Sequence, residues 1–266
     1  IRTSHNEYED NLNEIHPKLI CDTFDQAKNK PVFLFLQFTR IHTVTVSEVL
    51  KKYEWNDKNF YDQIDFNLKQ YDKTFEEACI YAQKIIKTIK KLGKEKDTII
   101  IFFADHGTGV GERFGERNYG SFTYEETIRT FYYFWGKYIQ ENKICNKLKS
   151  TMDILPTVLD LCQIENNLEL TGTSFANYVT GLTTDIIENK YTFSETGALH
   201  GPSPSPEVSN VFCIKTSNYK LIYNSSKNLW ELYDIKNDKN EKNNLIDTLP
   251  LIENKLKEKL LSWINR

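Results

Sequence analysis

Three stretches of the chain are apolar almost without interruption: Val32-Phe33-Leu34-Phe35-Leu36-Gln37-Phe38, Thr98-Ile99-Ile100-Ile101-Phe102-Phe103 and Thr130-Phe131-Tyr132-Tyr133-Phe134-Trp135-Gly136. Runs of this kind, rich in β-branched and aromatic residues, read as strands buried on both faces of a parallel sheet. Between the first two the pattern changes. Phe75, Ala78, Cys79, Ala82, Ile85, Ile86, Ile89 and Leu92 recur at three- and four-residue steps while Lys84, Lys87, Lys90 and Lys91 take the other face, predicting an amphipathic helix over 71–92 that Gly93 ends. Residues 71–103 then form the helix-to-strand half of a crossover. Alternating strands and helices predict an α/β fold with a mostly parallel central sheet flanked by helices.

Further along, Asp153 is expected to N-cap a helix whose stripe is Ile154, Leu155, Val158, Leu159, Leu161 and Cys162, with Pro156 inside its first turn. A proline-serine loop at 201–206 follows, with His200 beside it. Short strands over 211–215, 219–223 and 230–234, separated by turn-rich segments, predict antiparallel hairpins. An amphipathic terminal helix carries Leu251, Ile252, Leu256, Leu260, Leu261 and Trp263. This divides the chain into a main α/β domain, 1–205, and a small C-terminal subdomain, 206–266, with an antiparallel sheet and a terminal helix. Residues 1–30 are polar and mixed, helical in flavour from Pro17 to Ala27, and lead into the sheet.

Composition supports a globular chain: 266 residues, 39% hydrophobic, with enough apolar surface for a sizeable core. A net charge of −3 with dispersed Lys and Arg gives no basic footprint for nucleic acid. There is no apolar run near the length of a membrane span, and the opening residues are not a signal peptide. The five cysteines are odd in number and widely spaced, without zinc-ribbon pairing. Cys79 and Cys162, in apolar helical settings, are read as inert core thiols. Such usage leans toward a reducing compartment; localisation stays open.

The chemistry concentrates where the second apolar run stops, at Asp105-His106-Gly107. Adjacent side chains on a regular strand point to opposite faces, so an acid and an imidazole side by side make sense at a strand end, where the backbone leaves its pleat. A carboxylate oxygen and an imidazole nitrogen at the carboxyl edge of a sheet suit a divalent cation, whereas the plain alternative is a helix-capping Asp beside a structural His. The loop that follows, Thr108 to Gly120, is glycine-punctuated and charged, and is a candidate for substrate contact.

Five landmarks then stand in order: the strand with Asp105-His106-Gly107, Tyr124-Glu125-Glu126-Thr127-Ile128-Arg129, Asp153-Ile154-Leu155-Pro156-Thr157, Phe193-Ser194-Glu195-Thr196-Gly197, and Glu231-Leu232-Tyr233-Asp234. From about residue 30 onward the set resembles the later part of a sulfatase of the alkaline phosphatase superfamily. The resemblance implies one divalent metal ion, calcium first, magnesium or manganese next, with Asp105 and His106 among its ligands. The absence of a D-x-x-x-H set argues against a second metal. It implies a catalytic role for His42, which follows the first apolar run where relatives carry a loop histidine, although the proline usual after that histidine is missing. Ser121 stands where a lysine or histidine is expected to hold the sulfate, so Arg113 and Arg117 are the substrate-binding candidates; a guanidinium clamps an anion well but donates protons poorly.

The activity implied is hydrolysis of a sulfate ester, on a small-molecule or glycan substrate. Hydrolysis of a phosphodiester or phosphonate ester is the alternative. No cysteine or serine stands in the Cys/Ser-x-Pro-x-Arg setting that supplies the family's nucleophile, and no early Asp-Asp pair follows a strand. The expectation is that these residues are the later portion of a longer enzyme, inactive alone. The competing reading is a short non-catalytic binding module.

Overall fold

The computed structural model describes residues 11–28, 30–54, 56–186, 188–197 and 209–266. The proline-serine loop and His200 lie outside them. The chain divides into two compact units: Ile1–Phe102 with Val110–Asn118 and Tyr132–Lys137, and Phe103–Gly109 with Tyr119–Phe131 and Tyr138–Arg266.

The first unit is mainly helical. It holds α1 (Leu12–Ala27), α2 (Arg40–Thr45), a π-helical turn (Val46–Leu50), α3 (Lys58–Tyr61), α4 (Ile64–Lys91), β1 (Ile99–Phe103, whose last residue belongs to the second unit) and β2 (Tyr132–Gly136). Tyr81, Ile85 and Ile89, one face of α4, pack with Leu12 and Ile20 of α1 into a core that Leu34, Leu36, Phe38, Ile100, Phe102 and Trp135 complete. Helix α4 starts seven residues before the apolar periodicity does. It ends where predicted, with Gly93 in the left-handed region at φ 63° and the Lys94 N–H returning to the Ile89 carbonyl at 3.1 Å.

The sheet differs from the expectation. β1 and β2 form a two-stranded sheet, and the Lys137 N–H, just past the end of β2, donates to the Thr98 carbonyl, just before β1, at 2.8 Å. End against beginning is antiparallel pairing. No parallel central sheet is present among the described residues. Residues 32–38 are extended but outside any strand ladder, and their burial alternates: Leu34, Leu36 and Phe38 face the core, while Phe33 is 83% and Phe35 68% exposed. A continuous apolar run had signalled burial on both faces; only one is covered.

The second unit contains α5 (Glu125–Ile128), α6 (Ile154–Leu161), α7 (Ala176–Val179), β3 (Thr192–Thr196), β4 (Val211–Lys215), β5 (Tyr219–Asn224), β6 (Leu229–Asp234) and α8 (Pro250–Ile264). The last four strands form one antiparallel sheet in chain order, with Thr192 opposite Lys215, Lys215 opposite Lys220 and Lys220 opposite Tyr233. The hairpins and terminal helix follow the sequence reading; β3, ahead of the proline-serine loop, joins as an edge strand.

Strand alternation gives this sheet two different faces. One presents Phe212, Ile214, Leu221 and Leu232, packed against Leu256 and Leu260 of α8, with Phe193 stacked on Trp263 at 5.0 Å. The other presents Val211, Cys213, Ile222 and Tyr233, packed against Tyr124 and Ile128, together with Lys215 and Lys220.

Asp153 is not a simple helix cap. Ser150 caps the turn ahead of α6, and the buried Asp153 carboxylate accepts from the backbone N–H groups of Ser150 at 2.8 Å and Thr173 at 2.7 Å and from Asn189 Nδ2 at 2.8 Å. Three donors and the nearby Lys149 ammonium at 3.6 Å compensate a buried charge. The cysteine reading also changes: Cys79 and Cys162 are exposed, and Cys213 is the buried one. Cys79 lies on the exposed face of α4 and Cys162 at the exposed C-cap of α6, while Cys213 lies in β4.

Candidate active site

Asp105 and His106 follow β1 after one residue, Ala104. The Asp105 Oδ1 accepts the His106 N–H at 3.0 Å, a local turn that swings both side chains to one side. Asp105 Oδ2 and His106 Nε2 end 3.8 Å apart. The other ring nitrogen, Nδ1, lies 2.7 Å from the Gly107 carbonyl oxygen. A carbonyl can only accept, so Nδ1 carries a proton, and in the neutral imidazole the lone pair is then on Nε2, beside the carboxylate. The Tyr119 ring packs on the imidazole, centroids 3.9 Å apart.

Gly107 is required by close approach. Its N–H donates to the Thr127 carbonyl at 2.8 Å, and a Cβ at this position would stand 2.2 Å from the Glu126 carbonyl oxygen and 3.3 Å from that of Arg129. The turn that carries Asp105 and His106 thus rests on the carbonyls of α5. On the same side of the chain, the Gly120 carbonyl accepts from Thr196 Oγ1 at 2.6 Å, which holds the segment of Tyr119 to β3.

A carboxylate oxygen and an imidazole nitrogen 3.8 Å apart fit as neighbouring donors of a divalent cation, whose ligands at about 2.0–2.6 Å stand about 3–4 Å from one another. Asp105 is largely exposed, with 80% of its side chain open, so it carries no buried charge that another protein group must balance. No cluster of three or more His, Cys, Asp or Glu side chains suited to a metal occurs among the described residues. These two donors therefore fit part of a coordination sphere.

The remaining candidates belong to the first unit. His42 lies in α2, not in a loop, two residues from Arg40, whose Nε pairs with Glu77 at 3.0 Å. Arg117 is occupied: its guanidinium donates to the Tyr53 carbonyl. The glycine loop around it is pinned, with the Gly115 N–H donating to Tyr61 Oη at 3.0 Å and Asn67 Nδ2 to the Val110 carbonyl at 3.0 Å. Arg113 is partly exposed. Sequence reasoning missed Tyr119, the aromatic wall of His106. The signal was there in Asn118-Tyr119-Gly120, a glycine-bounded aromatic 13 residues past the histidine.

Comparison with known proteins decides the family. A family model described as "Sulfatase" matches residues 4–164, and one described as "N-sulphoglucosamine sulphohydrolase, C-terminal" matches residues 115–266. The chain is a sulfatase-family member. Among curated sulfatases it is 27% identical to arylsulfatase K of Bos taurus over 190 residues, covering 68% of this chain and 34% of that protein. It is 30% identical to an endo-4-O-sulfatase of Bacteroides thetaiotaomicron, covering 65% and 35%. The solved sulfatase folds it resembles include a 2-O GAG sulfatase, with a TM-score of 0.64 at 24% identity over 85% of this chain and 46% of that one. A further solved structure it resembles is a protein in complex with its substrate D-glucosamine-2-N,6-O-disulfate, with a TM-score of 0.53 at 22% identity over 73% and 38%. The chain spans about a third of the length of these curated sulfatases and less than half of these two solved chains. Sulfatases are sulfuric ester hydrolases that typically bind a divalent metal. Among the described residues no helix is long and apolar enough to cross a membrane.

Proposed function

We propose that the protein to which these residues belong hydrolyses sulfate esters, with Asp105 and His106 holding part of a divalent cation site, calcium first among the candidates and magnesium or manganese next. Family membership supports the reaction class, and the observation that carries the site is the approach of Asp105 Oδ2 to His106 Nε2 at 3.8 Å, with Nδ1 turned to the Gly107 carbonyl, on a turn leaving β1. When bound, such a cation polarises a nonbridging oxygen of the ester and favours the ionised form of the attacking group. The chain's own residues then have definite tasks. The Gly107 carbonyl fixes the imidazole tautomer, Tyr119 restrains the ring, and α5 fixes the height of the turn. His42 is proposed to assist departure of the leaving oxygen, since an imidazole exchanges protons near neutrality. Arg113 and Arg117 are the proposed contacts to the sulfate oxygens, since a guanidinium clamps an oxyanion well. Sulfated sugars are the proposed substrates, the class borne by the complex just described.

Asp105→Ala and His106→Ala are each expected to lower aryl-sulfatase turnover of the whole protein by about 100-fold or more, with bound metal reduced and the fold retained. Full turnover with unchanged metal content in either variant refutes the assignment. Bis-aryl phosphate and phosphonate monoester substrates belong in the same assay, because a solved phosphonate monoester hydrolase from Silicibacter pomeroyi shares the fold at a TM-score of 0.58 and 19% identity, over 69% of this chain and 38% of that one. Preference for either over aryl sulfate moves the assignment to that ester.

A further inference from the structure

A neutral group of four buried or nearly buried charges lies within the second unit. The Glu125 carboxylate receives Lys215 Nζ on both oxygens, at 2.8 and 2.7 Å, and Lys220 Nζ at 3.2 Å. Lys220 also pairs with Glu241 at 2.5 Å, and Glu241 Oε2 accepts the Glu125 backbone N–H at 2.8 Å. Lys220 and Glu241 have fully buried side chains. Two cations and two anions balance, and each holds another in place. Both lysines rise from the same sheet face, which also supplies Glu231 to the Tyr124 hydroxyl at 2.7 Å. The carboxylate that both lysines share and the hydroxyl that Glu231 accepts belong to Glu125, the first residue of α5, and to Tyr124, its N-cap.

We infer that Glu125 is a positioning residue for the Asp105–His106 turn, and that Lys215, Lys220 and Glu241 act on that turn through it. α5 is a single helical turn, so Glu125 and Thr127 lie only about 3 Å apart along its axis. Thr127 is tied to that turn by its own hydroxyl, which donates to the Tyr124 and Phe122 carbonyls at 3.0 and 3.1 Å. The Thr127 carbonyl receives the Gly107 N–H, and the backbone of Gly107 touches α5 too closely to admit a Cβ. A shift of Glu125 therefore moves the seat on which Gly107 rests, with no flexible side chain between to absorb it. An apolar anchor alone, Tyr124 and Ile128, would fix α5 against sliding less well, because dispersion contacts are non-directional whereas a carboxylate clamped at both oxygens is fixed in orientation.

The cation arm of the test rests on the proposed reading of Asp105 and His106; the exchange arm does not. In metal-free protein, Glu125→Gln is expected to accelerate amide hydrogen exchange of the segment containing Gly107 about tenfold. In the whole protein it is expected to raise the cation concentration for half-maximal turnover about tenfold, with kcat restored at saturating cation. Lys215→Met shifts both readouts in the same direction, and Lys215→Arg restores them. Because Lys215 sits at the margin of the group, its variants report even if Glu125→Gln fails to fold. Leu256→Ala, on the opposite face of the same sheet, lowers the melting temperature without moving either readout. Wild-type exchange at Gly107 in both Glu125→Gln and Lys215→Met, or an equal effect of Leu256→Ala, overturns the inference. Should Asp105→Ala leave the cation requirement unchanged while Glu125→Gln still accelerates exchange, the cation assignment falls and the positioning role stands.

Discussion

Gly107→Ala tests the seat of the candidate metal turn by adding one carbon atom. That carbon would stand 2.2 Å from the Glu126 carbonyl oxygen, where real Cβ atoms keep at least 3.0 Å. The obstacle is backbone, so no side chain can swing aside, and the turn must rise off α5 by about 0.8 Å, the difference between those distances. The Gly107 N–H to Thr127 hydrogen bond at 2.8 Å stretches with it. Overpacking of this kind costs about 1–3 kcal/mol; at about 2 kcal/mol, a unit of this size loses about 4–8 °C in melting temperature. The functional effect is larger than the loss of stability. A misplacement approaching 1 Å of the groups that hold the cation lowers kcat/KM by about 100-fold. Differential scanning fluorimetry and aryl-sulfate turnover at several cation concentrations measure the two effects side by side. Wild-type kcat/KM with an unchanged melting temperature would mean that the turn does not rest on α5, and the role given to Gly107 would be wrong.

Acid sensitivity follows from Glu125. Burial pushes its carboxyl up, but Lys220 and Lys215 outweigh that and hold it below the usual carboxylate range. A depressed folded value means that the stabilisation is present above the unfolded value, about 4.3, and is lost as pH falls through the folded one. The melting temperature of the wild type should therefore drop more steeply than that of Glu125→Gln below about pH 4; parallel profiles would contradict this. Asp153→Ala strands three donors and leaves Lys149 without its carboxylate, and is expected to cost about 3–5 kcal/mol in urea unfolding. A loss below about 1 kcal/mol would show that water replaces the carboxylate there.

Elements whose determinants are local were legible in the sequence. The hairpins from β4 to β6 alternate and turn within short windows, and α8 shows its stripe directly. The Asp-His pair at a strand end was visible because its meaning depends on adjacent residues. What depends on distant partners was not. The run at 32–38 shows its apolarity, but whether Phe33 and Phe35 meet anything is a property of the rest of the sheet, and both are exposed. Likewise Glu125 stood out as a family landmark without a role, since its partners Lys215, Lys220 and Glu241 lie 90, 95 and 116 residues away. Charged residues in a strand such as Tyr219–Asn224 read as solvent-facing; the burial of Lys220 becomes intelligible only once two carboxylates are seen to enclose it.

The two-faced sheet sets the terms on which this protein can be recombined with its relatives. Its α8 face is apolar and would tolerate a foreign helix of similar volume. Its other face is keyed by charge to residues 124 and 125, which precede the first strand of that sheet by more than 60 positions. A chimaera that exchanges only residues 192–266 separates Lys215 and Lys220 from the Glu125 carboxylate and Glu241 from the Glu125 N–H, and leaves the Asp105–His106 turn resting on a mismatched support. The transferable module is discontinuous: residues 119–131 have to travel with the C-terminal sheet.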